Sequence, residues 1–453
     1  MKIKFFTKKR LVISGVVIFL IILLEVFLGT PADESDAQNI SSNNVENNEV
    51  KLDEELQKEN TENYVANSSD EIILDVPEPN PASEFMYQLT DDSNGVLITA
   101  YIGTNSVISI PSEIEGLPVT TVNALCSEDY KVQSFVNQVF FPDSVTDVGD
   151  RLFCDCKKLN YVRLSQSCPK ISSYMFSECE ALKYIKIPEC VVTIEDGVFS
   201  GAGVNSITIP ATVTKFGKYI FSDCKKLNNV KLPENMTVIP ERMFSYCEML
   251  SAIEIPNTVK ELGESCFSNC EGISEIKLPE KLEKIGRDCF WYCEKIESIK
   301  IPDTVTEIGA SAFGGTGITE LIIPESVNTE KISSGFERYF SINFIYGMEK
   351  LEVLRIPNSI KTIECFYKQD FFPDSVKRTL RSVNLPESLE LVKGDVFQNM
   401  DNLTELIIPD SLNKNIFDIN AGTTFYGTTK LPLLTQKRLR ELGYTGDFVT
   451  VQY

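Results

Sequence analysis

The 453-residue chain contains no histidine, which removes the most common general base and a frequent zinc ligand of enzymes. Ser-His-Asp and Cys-His catalysis, HExxH zinc chemistry and imidazole proton shuttles all need that side chain near neutral pH. A pair of catalytic carboxylates, as in glycosidases, remains possible. The spacing of the 65 acidic residues does not, however, indicate any particular pair. The composition predicts a protein that is not an enzyme and needs no cofactor.

Basic residues are also scarce, with 43 lysines and arginines against 65 aspartates and glutamates. The formal charge of −22 argues against nucleic acid as a partner, because phosphate binding needs clustered positive charge. A hydrophobic fraction of 43% is nevertheless enough for a sizeable core. We therefore expect a folded protein that does not read nucleic acid.

The amino terminus has the pattern of an export element. Five basic residues precede the apolar run LVISGVVIFLIILL, and Glu25 interrupts the apolar stretch before VFLG. The run of 14 residues is close to a signal-peptide core, whereas continuing to Gly29 approaches the roughly 20 residues of a membrane span. Residues 1–30 are predicted to be a cleaved signal peptide or a signal anchor that holds the protein in its own membrane through residues 11–29.

Residues 31–85 differ in character from the rest of the chain. They contain 15 acidic and 2 basic residues and so carry −13 of the formal charge of −22. Low hydrophobicity with charge of one sign predicts a self-repelling, extended and disordered tether. We expect it to hold the following domain away from the membrane.

Prolines then recur at steps of 22 or 23 residues, with Ser165 at the one missing position. They are Pro142, Pro188, Pro210, Pro233, Pro256, Pro279, Pro302 and Pro324, followed after two longer steps by Pro357, Pro386 and Pro409. Phenylalanines follow most of them at a constant distance: Phe153, Phe176, Phe199, Phe221, Phe244, Phe267, Phe290, Phe313 and Phe397. Each unit can be written P-x-x-V-x-x-I-x-x-x-x-F-x-x-C-x-x-L-x-x-I-x-I-P. Because no such unit can bury its apolar positions alone, the units must stack.

The segment L-x-x-I-x-I predicts the strand of each unit. LNNVKL and ISEIKL alternate apolar with polar residues, and the proline that follows ends the ladder because it has no N–H to donate. Identical strands in successive units lie parallel. The predicted fold is a repeat solenoid with one parallel β-strand per rung of 22 or 23 residues, mostly β and coil.

These residues carry a family resemblance. FSNCEGISEIKLPEKLEKIGRDCFWYCEKIESIKIP resembles the BspA-type leucine-rich repeat of bacterial and protozoan surface proteins. GVLITAYIGTNSVISIPSEIEGLPVTTVNAL resembles that family's first repeat, and LRELGYTGDF resembles its closing segment. The resemblance implies a leucine-rich-repeat solenoid over 142–430, a capping repeat region over 86–141 and a carboxyl-terminal cap over 431–453. It also implies a secreted or surface-held protein that binds host or neighbouring-cell components, and it transfers no catalytic residue.

Cysteine is plentiful, with 13 residues, and six of them share one position of the repeat. Cys156, Cys179, Cys224, Cys247, Cys270 and Cys293 all stand three residues after the phenylalanine. We expect a buried column in which cysteine is a small apolar filler, although stacked rungs leave disulfides open. The pairs Cys266 with Cys270 and Cys289 with Cys293 have a metal-like spacing, but their repeat register and the absence of histidine argue against zinc. No metal site is predicted.

Function is expected on the outward side chains of the strands. One outward column is mostly basic, and the neighbouring column on the same face begins with two tyrosines. The candidate ligand-binding residues are Tyr161, Arg163, Tyr184, Lys186, Lys231, Lys277 and Lys300. Tyrosine and arginine are enriched in binding hot spots, while a solvated face whose lysines and glutamates offset each other is the plain alternative.

The two longer steps hold aromatic-rich insertions near 334–346 and 365–372. Loops of this kind carry binding in many repeat proteins, but packing of the aromatics onto the solenoid is the interpretation we favour, because many exposed aromatics would promote aggregation.

We therefore predict a cell-surface or secreted, adhesin-like monomer that recognises an extracellular protein or glycan ligand through its strand face. A non-catalytic structural spacer on the cell surface is the alternative.

Overall fold

The computed structural model of the protein describes residues 74–126, 132–327, 331–333, 340–365, 371–412, 414–418 and 422–448. The chain divides into two compact units, Met1–Asp75 and Val76–Tyr453, and nearly all described residues belong to the second. The expected membrane segment at 11–29 lies outside the described residues, as does most of the acidic stretch. In the part of the chain that is described, no helix has the length and apolar character needed to cross a bilayer.

The second unit opens with a small sheet. Its strands are β1 Phe85–Leu89, β2 Val96–Tyr101, β4 Glu113–Ile114 and β5 Leu117–Val122, after a 3-10 turn at Ala82–Glu84. Between β2 and β4 the chain forms β3 Val107–Ser109, which belongs to a separate sheet. β1 is antiparallel to β2, β4 is antiparallel to β5, and β2 runs parallel to β5. The buried Tyr101 anchors this region: its hydroxyl donates to Glu84 at 2.8 Å and its ring packs on Phe85.

Short strands then recur through the regular repeats. They are β6 Gln138–Phe140, β7 Asp147–Val148, β8 Tyr161–Arg163, β9 Lys170–Ile171, β10 Thr193–Ile194, β11 Ser206–Thr208, β12 Lys215–Phe216, β13 Asn229–Lys231, β14 Val238–Ile239, β15 Glu261–Leu262, β16 Lys284–Ile285 and β17 Glu307–Ile308. A 3-10 turn at Val132–Ser134 precedes them. All pairings among these strands are parallel, which confirms the predicted repeat solenoid.

The rungs form strands at two places in the repeat. The first ladder consists of the predicted L-x-x-I-x-I strands and pairs β3 with β6 and β8, and β11 with β13. The second ladder, which the sequence analysis missed, follows the proline of each unit and runs β14, β15, β16, β17. Its strands are two residues long, too short for an alternating pattern to reveal them. β7 extends the second ladder to β5, so the opening sheet continues directly into the repeats.

The two ladders complement each other along the solenoid. Segments 252–254, 275–277 and 298–300 belong to the first face but are not strands, and ISEIKL is therefore an extended segment without ladder pairing. The second ladder pairs in register at these rungs, with Leu262 opposite Ile285 and Ile285 opposite Ile308. From β6 to β17, neighbouring rungs are thus held by strand pairing on at least one side.

The carboxyl-terminal rungs follow the same plan with longer connections. They contain β18 Glu320–Ile322, β19 Lys331–Ser333, β20 Phe340–Ser341, β21 Val353–Arg355, β22 Thr362–Glu364, β23 Ser382–Asn384, β24 Leu391–Lys393 and β25 Glu405–Ile407, with a 3-10 turn at Ile342–Ile345 and the helices α1 Asp374–Lys377 and α2 Leu433–Glu441. The first ladder continues as β18, β21, β23 and β25, and the second as β20, β19, β22 and β24. The period is therefore kept across both insertions.

Helix α2 and an aromatic cluster cover the carboxyl-terminal end. Leu439 is fully buried, and Tyr444 packs its ring edge-on against Phe425 at 5.1 Å. Phe425 in turn stacks on Phe397 of the preceding rung at 5.1 Å. Because Tyr444 meets Phe425 edge-on and not face to face, the stack of parallel rings ends at Phe425.

The core is organised around a column of stacked phenylalanines. Neighbouring rings from Phe153 to Phe313 have centroids 5.5 to 5.9 Å apart, and the seven ring pairs are inclined by no more than 10°. All eight rings are fully buried. A spacing this wide between near-parallel rings is the offset stacking that aromatic quadrupoles favour. From Phe153 to Phe313, the repeat therefore stacks the phenylalanine ring of each rung on the equivalent ring of the next.

The chain around each phenylalanine forms tight turns that also bind the next rung. The residues two before and two after the ring have positive φ, as at Arg242 (52°) and Tyr246 (62°). The N–H groups of Arg242, Phe244 and Tyr246 donate to carbonyls of the following rung at 2.8 to 2.9 Å. The left-handed geometry is costly for a side chain with a β-carbon, about 1 to 2 kcal/mol each, and the inter-rung hydrogen bonds offset that cost.

The predicted cysteine column lies beside the rings and is buried. Each sulfhydryl from the second rung onward also donates to the carbonyl of the phenylalanine one rung earlier, as from Cys270 to Phe244 at 3.0 Å and from Cys293 to Phe267 at 3.0 Å. Thr316 occupies the same position and donates to the carbonyl of Phe313 in its own rung at 2.7 Å. At most of these rungs the position therefore holds a small side chain with one donor, whereas Ala202 and Met400 fill it without one.

The remaining close sulfur contacts cross rungs. The sulfurs of Cys266 and Cys289 are 3.5 Å apart, and those of Cys126 and Cys156 are 3.0 Å apart. The two C-x-x-x-C pairs thus contribute to separate columns, with Cys266 facing Cys289 of the next rung. Within the described residues, no group of three or more cysteine, aspartate or glutamate side chains is placed to hold a metal ion.

Replacing one ring of the column tests its contribution. Phe244→Ala leaves a cavity between Phe221 and Phe267 and is expected to lower the free energy of unfolding by about 3 to 5 kcal/mol. Met249→Ala is the control, because that side chain is 55% exposed and its loss should change stability by no more than about 0.5 kcal/mol. Urea unfolding followed by circular dichroism measures both. Equal effects of the two substitutions would show that the column does not stabilise the rungs.

Burial of the cysteine column predicts low thiol reactivity. Burial raises the pKa of the Cys247 and Cys270 thiols well above the ordinary value, and that of Cys293 from 9.0 to about 12. At about pH 8, N-ethylmaleimide should therefore modify the column only after denaturation, since the thiolate is the reactive form. The half-buried Cys154 and Cys190 should react first. Mass spectrometry of intact protein counts the modified thiols.

The same pKa shift predicts how stability changes with pH. The folded column holds its protons more tightly than the unfolded chain, so its contribution is complete below about pH 9 and decreases as the pH rises toward the folded values. The free energy of unfolding should therefore fall between about pH 9 and 12. Several disulfides among the column positions in the denatured protein would contradict this interpretation.

Candidate functional site

The strand face consists of the outward side chains of the first ladder and of the extended segments between its strands. Val162 is buried while its neighbours Tyr161 and Arg163 are half-buried, and Val230 is buried between two exposed residues. Among the candidate residues, the structure leaves Tyr184, Lys186, Lys231, Lys277 and Lys300 exposed. Ser382 in β23 is an exception on this face, because it is buried.

Arg163 is held in place by several contacts. Its guanidinium donates to the carbonyl of Phe141 and forms an ion pair with Asp143 at 3.1 Å. The carboxylate of Asp143 also accepts the backbone N–H of Gln166. Asp143 therefore partly offsets the positive charge of Arg163. Repeat register alone does not predict this ion pair.

Tyr161 and Tyr184 lie on successive rungs but in different surroundings. The ring of Tyr161 packs at 5.4 Å on Phe140 of the preceding strand. Tyr184 belongs to a rung without strand pairing on this side, and 39% of its surface is exposed. Together with Arg163 and Lys186, the two tyrosines place aromatic and cationic side chains on two successive rungs near the amino-terminal end of the face.

The three remaining candidate lysines do not form one cluster. Lys231 ends β13, whereas Lys277 and Lys300 lie on extended segments farther along the same column. Glu254 separates Lys231 from the other two, so the column alternates in charge at that point. A long, mixed-charge surface results.

Most ion pairs between rungs lie away from the strand face. Lys284 in β16 is 3.4 Å from Glu261 and 3.6 Å from Glu307, one rung to either side. The carboxylate of Glu307, with that of Glu261, raises the pKa of the Lys284 ammonium. Exposed pairs of this kind contribute little stability, about 0 to 1 kcal/mol each. They pair lysine and glutamate charges from rung to rung on the second-ladder side.

The aromatic insertions are mainly packed where they are described. Phe344, Phe371 and Phe372 are buried, and Phe372 contacts the ring of Phe397 at 5.8 Å. Tyr346 differs, because 56% of its surface is exposed. The insertion aromatics at 336, 339, 366 and 367 lie outside the described residues.

Sequence reasoning missed a second group of exposed aromatic residues, on the turns that carry the phenylalanine column. Tyr246 and Tyr292 hold positive-φ positions of these turns, and Trp291 and Tyr346 lie beside them in an open groove. The sequence does contain a signal for this group. Tyr246 and Tyr292 stand two residues after a column phenylalanine, at a position where other rungs have Gly201 or Gly315.

Comparison with known proteins agrees with this architecture. A model of the BspA type leucine-rich repeat region, with six copies, matches residues 120–228, 217–343 and 339–432. No curated protein matches the chain significantly. The chain is similar to a solved leucine-rich repeat protein from Bacteroides ovatus, at 25% identity over 77% of this chain and 80% of the other, with a TM-score of 0.52.

Two further solved structures resemble the chain less closely. One is a leucine-rich cell surface protein from Faecalibacterium prausnitzii, at 25% identity, 74% and 95% coverage and a TM-score of 0.43. The other is the pneumococcal vaccine antigen PcpA, at 17% identity, 82% and 97% coverage and a TM-score of 0.43. The family model spans well over half of the chain. The chain belongs to the BspA-type leucine-rich repeat family.

Proposed function

We propose that the protein is a non-catalytic, surface-displayed or secreted binding protein that recognises an extracellular protein through its strand face. The observation that supports the proposal is the column of outward side chains on successive rungs, with buried residues between them; Tyr161, Arg163 and Lys231 of this column lie on paired strands. Such a platform presents side chains at fixed spacing and loses little entropy on binding. The residues proposed to contact the ligand are Tyr161, Arg163, Tyr184, Lys186, Lys231, Lys277 and Lys300.

The location of the protein is part of this proposal. Residues 1–30 direct the chain out of the cell, and either cleavage releases it or residues 11–29 anchor it in its own membrane. The acidic stretch from residue 31 to residue 75 then serves as a tether between that segment and the solenoid, because the chain from Val76 onward, including the buried Phe85, belongs to the second unit. Mass spectrometry of the chain isolated from its native cell decides between cleavage and anchoring, because only an anchor retains the first 30 residues.

A passive spacer explains the same repeat organisation without a ligand. In that case the strand face needs only to remain soluble, and its substitution changes local charge alone. The aromatic and cationic patch formed by Tyr161, Arg163, Tyr184 and Lys186 favours recognition over spacing, since tyrosine and arginine contribute disproportionately to binding energy.

The test is a binding screen of the full chain against a panel of extracellular-matrix proteins, at low and high salt. Tyr184→Ala with Lys186→Ala should weaken a saturable interaction at least about tenfold, corresponding to about 1.4 kcal/mol. Both side chains are exposed, so the double variant should keep its urea midpoint. Higher salt should weaken binding further, because the lysines act through charge.

Lys158→Ala is the matched control for the charge change, since Lys158 is exposed on the turns and not on the strand face. It should bind as the unchanged protein does. Binding that survives the double substitution would remove the strand face as the site. A complete lack of saturable ligands would favour the spacer.

A further inference from the structure

The turns carrying the phenylalanine column form an open groove with a volume of about 430 Å³, here called the turn groove. It exists because one rung has small residues where its neighbours have large ones. Ser265, Ser268 and Asn269 form its floor. Tyr246 rises from the rung before, and Tyr292 from the rung after. The volume lies within the range of small-molecule sites, about 300 to 1,000 Å³.

The wall on the far side contains Trp291, the one tryptophan of the chain. Its ring contacts that of Tyr292 edge-on, with centroids 4.9 Å apart. It lies against two glycines of the following rungs: a β-carbon at Gly314 would be 2.2 Å from Cζ3 of Trp291, and one at Gly347 would be 3.0 Å from it. Any other residue at Gly314 would displace the ring. The tryptophan is therefore seated in a defined position while remaining only half-buried.

An insertion completes the groove. Its 3-10 turn at Ile342–Ile345 delivers Tyr346, which is 56% exposed, to the side of the groove next to Trp291. Tyr246 and Tyr292 are 49% and 47% exposed. Four aromatic side chains thus border one depression, three of them about half in solvent. Exposed aromatic groups of this number are unusual on a protein surface unless they bind something.

The polar side chains of the groove include one ion pair and one side-chain hydrogen bond. Nε of Arg287 donates to Asp288 at 3.1 Å, so this cation and anion offset each other. Nδ2 of Asn269 donates to Ser268 at 2.7 Å. The groove therefore presents donors and acceptors side by side with little net charge. That combination suits hydroxyl groups, which donate and accept at once, better than a charged ligand.

We propose that the turn groove binds a neutral oligosaccharide. The apolar C–H face of a sugar ring stacks on Trp291, and its hydroxyls form hydrogen bonds with Asn269 and the Arg287–Asp288 pair. A folded protein ligand fits less well, since stable protein interfaces need about 800 Å² on each partner and this depression spans only a few rungs. The site lies on the turns and does not depend on the strand-face proposal.

The single tryptophan makes the test direct. The full chain is titrated with a library of neutral glucose, galactose, mannose and N-acetylglucosamine oligosaccharides while the intrinsic fluorescence of Trp291 is followed. A saturable change in intensity or wavelength is expected with at least one of them, and isothermal titration calorimetry should give the same affinity. No saturable response up to millimolar concentrations would overturn the proposal.

The variants use the backbone geometry to avoid misfolding. Asn269 and Tyr292 have φ values of 59° and 56°, where glycine is tolerated without steric cost, and Gly315 already occupies the equivalent position in the next rung. Asn269→Gly and Tyr292→Gly should each weaken binding at least tenfold with an unchanged urea midpoint. Trp291→Ala should abolish binding measured by calorimetry, while Trp291→Phe should retain part of it.

Tyr184→Ala is the matched control, because it removes an exposed tyrosine from the strand face and leaves the turn groove intact. Its oligosaccharide affinity should be unchanged, and a loss there would place the sugar on the strand face and overturn the assignment. Binding that persists in Trp291→Ala would do the same. Saturable binding of a proline-rich peptide, together with no oligosaccharide response, would assign the groove to a peptide and overturn the proposal.

Discussion

Every rung of this protein depends on its neighbour, because each apolar side chain finds its partner in the equivalent side chain one repeat away. The phenylalanine column shows this dependence most clearly. The ring of Phe221 is covered by the equivalent rings of the rungs before and after it, so it could not be buried in an isolated rung. The tight turns around the rings bind the same neighbour through backbone hydrogen bonds. Packing and hydrogen bonding thus impose the same period on the chain.

That constraint divides the surface into regions with different tasks. Since interior positions are committed to stacking, chemical variety is confined to side chains that point away from the core. On the second-ladder side, lysine and glutamate pair from rung to rung, as Lys284 does with Glu261 and Glu307. The strand face and the turn groove keep aromatic and polar groups exposed instead. These two surfaces are where recognition is possible without disturbing the fold.

The ends of the solenoid need different solutions because a terminal rung has a neighbour on one side only. At the amino-terminal end, the antiparallel strands β1 and β2 lead into the parallel ladders through β5. At the carboxyl-terminal end, Tyr444 meets Phe425 edge-on and α2 follows the last rung. Both ends replace the missing rung with aromatic side chains, which cover a large apolar area per residue.

The amino-acid sequence by itself determined the solenoid, its period, the buried columns and the alternation along the strand face, because each is a periodic property that a repeat displays directly. Only the tertiary structure decided the second ladder, the binding of Arg163 to Asp143 and the seating of Trp291 on Gly314. Two-residue strands carry no alternation to detect, and the other two features depend on side chains that meet across rungs. The insertion before Tyr346 changes the spacing between repeats, so the repeat register no longer predicts which side chains meet there. The turn groove, which Tyr346 lines, is therefore visible only in the packed structure.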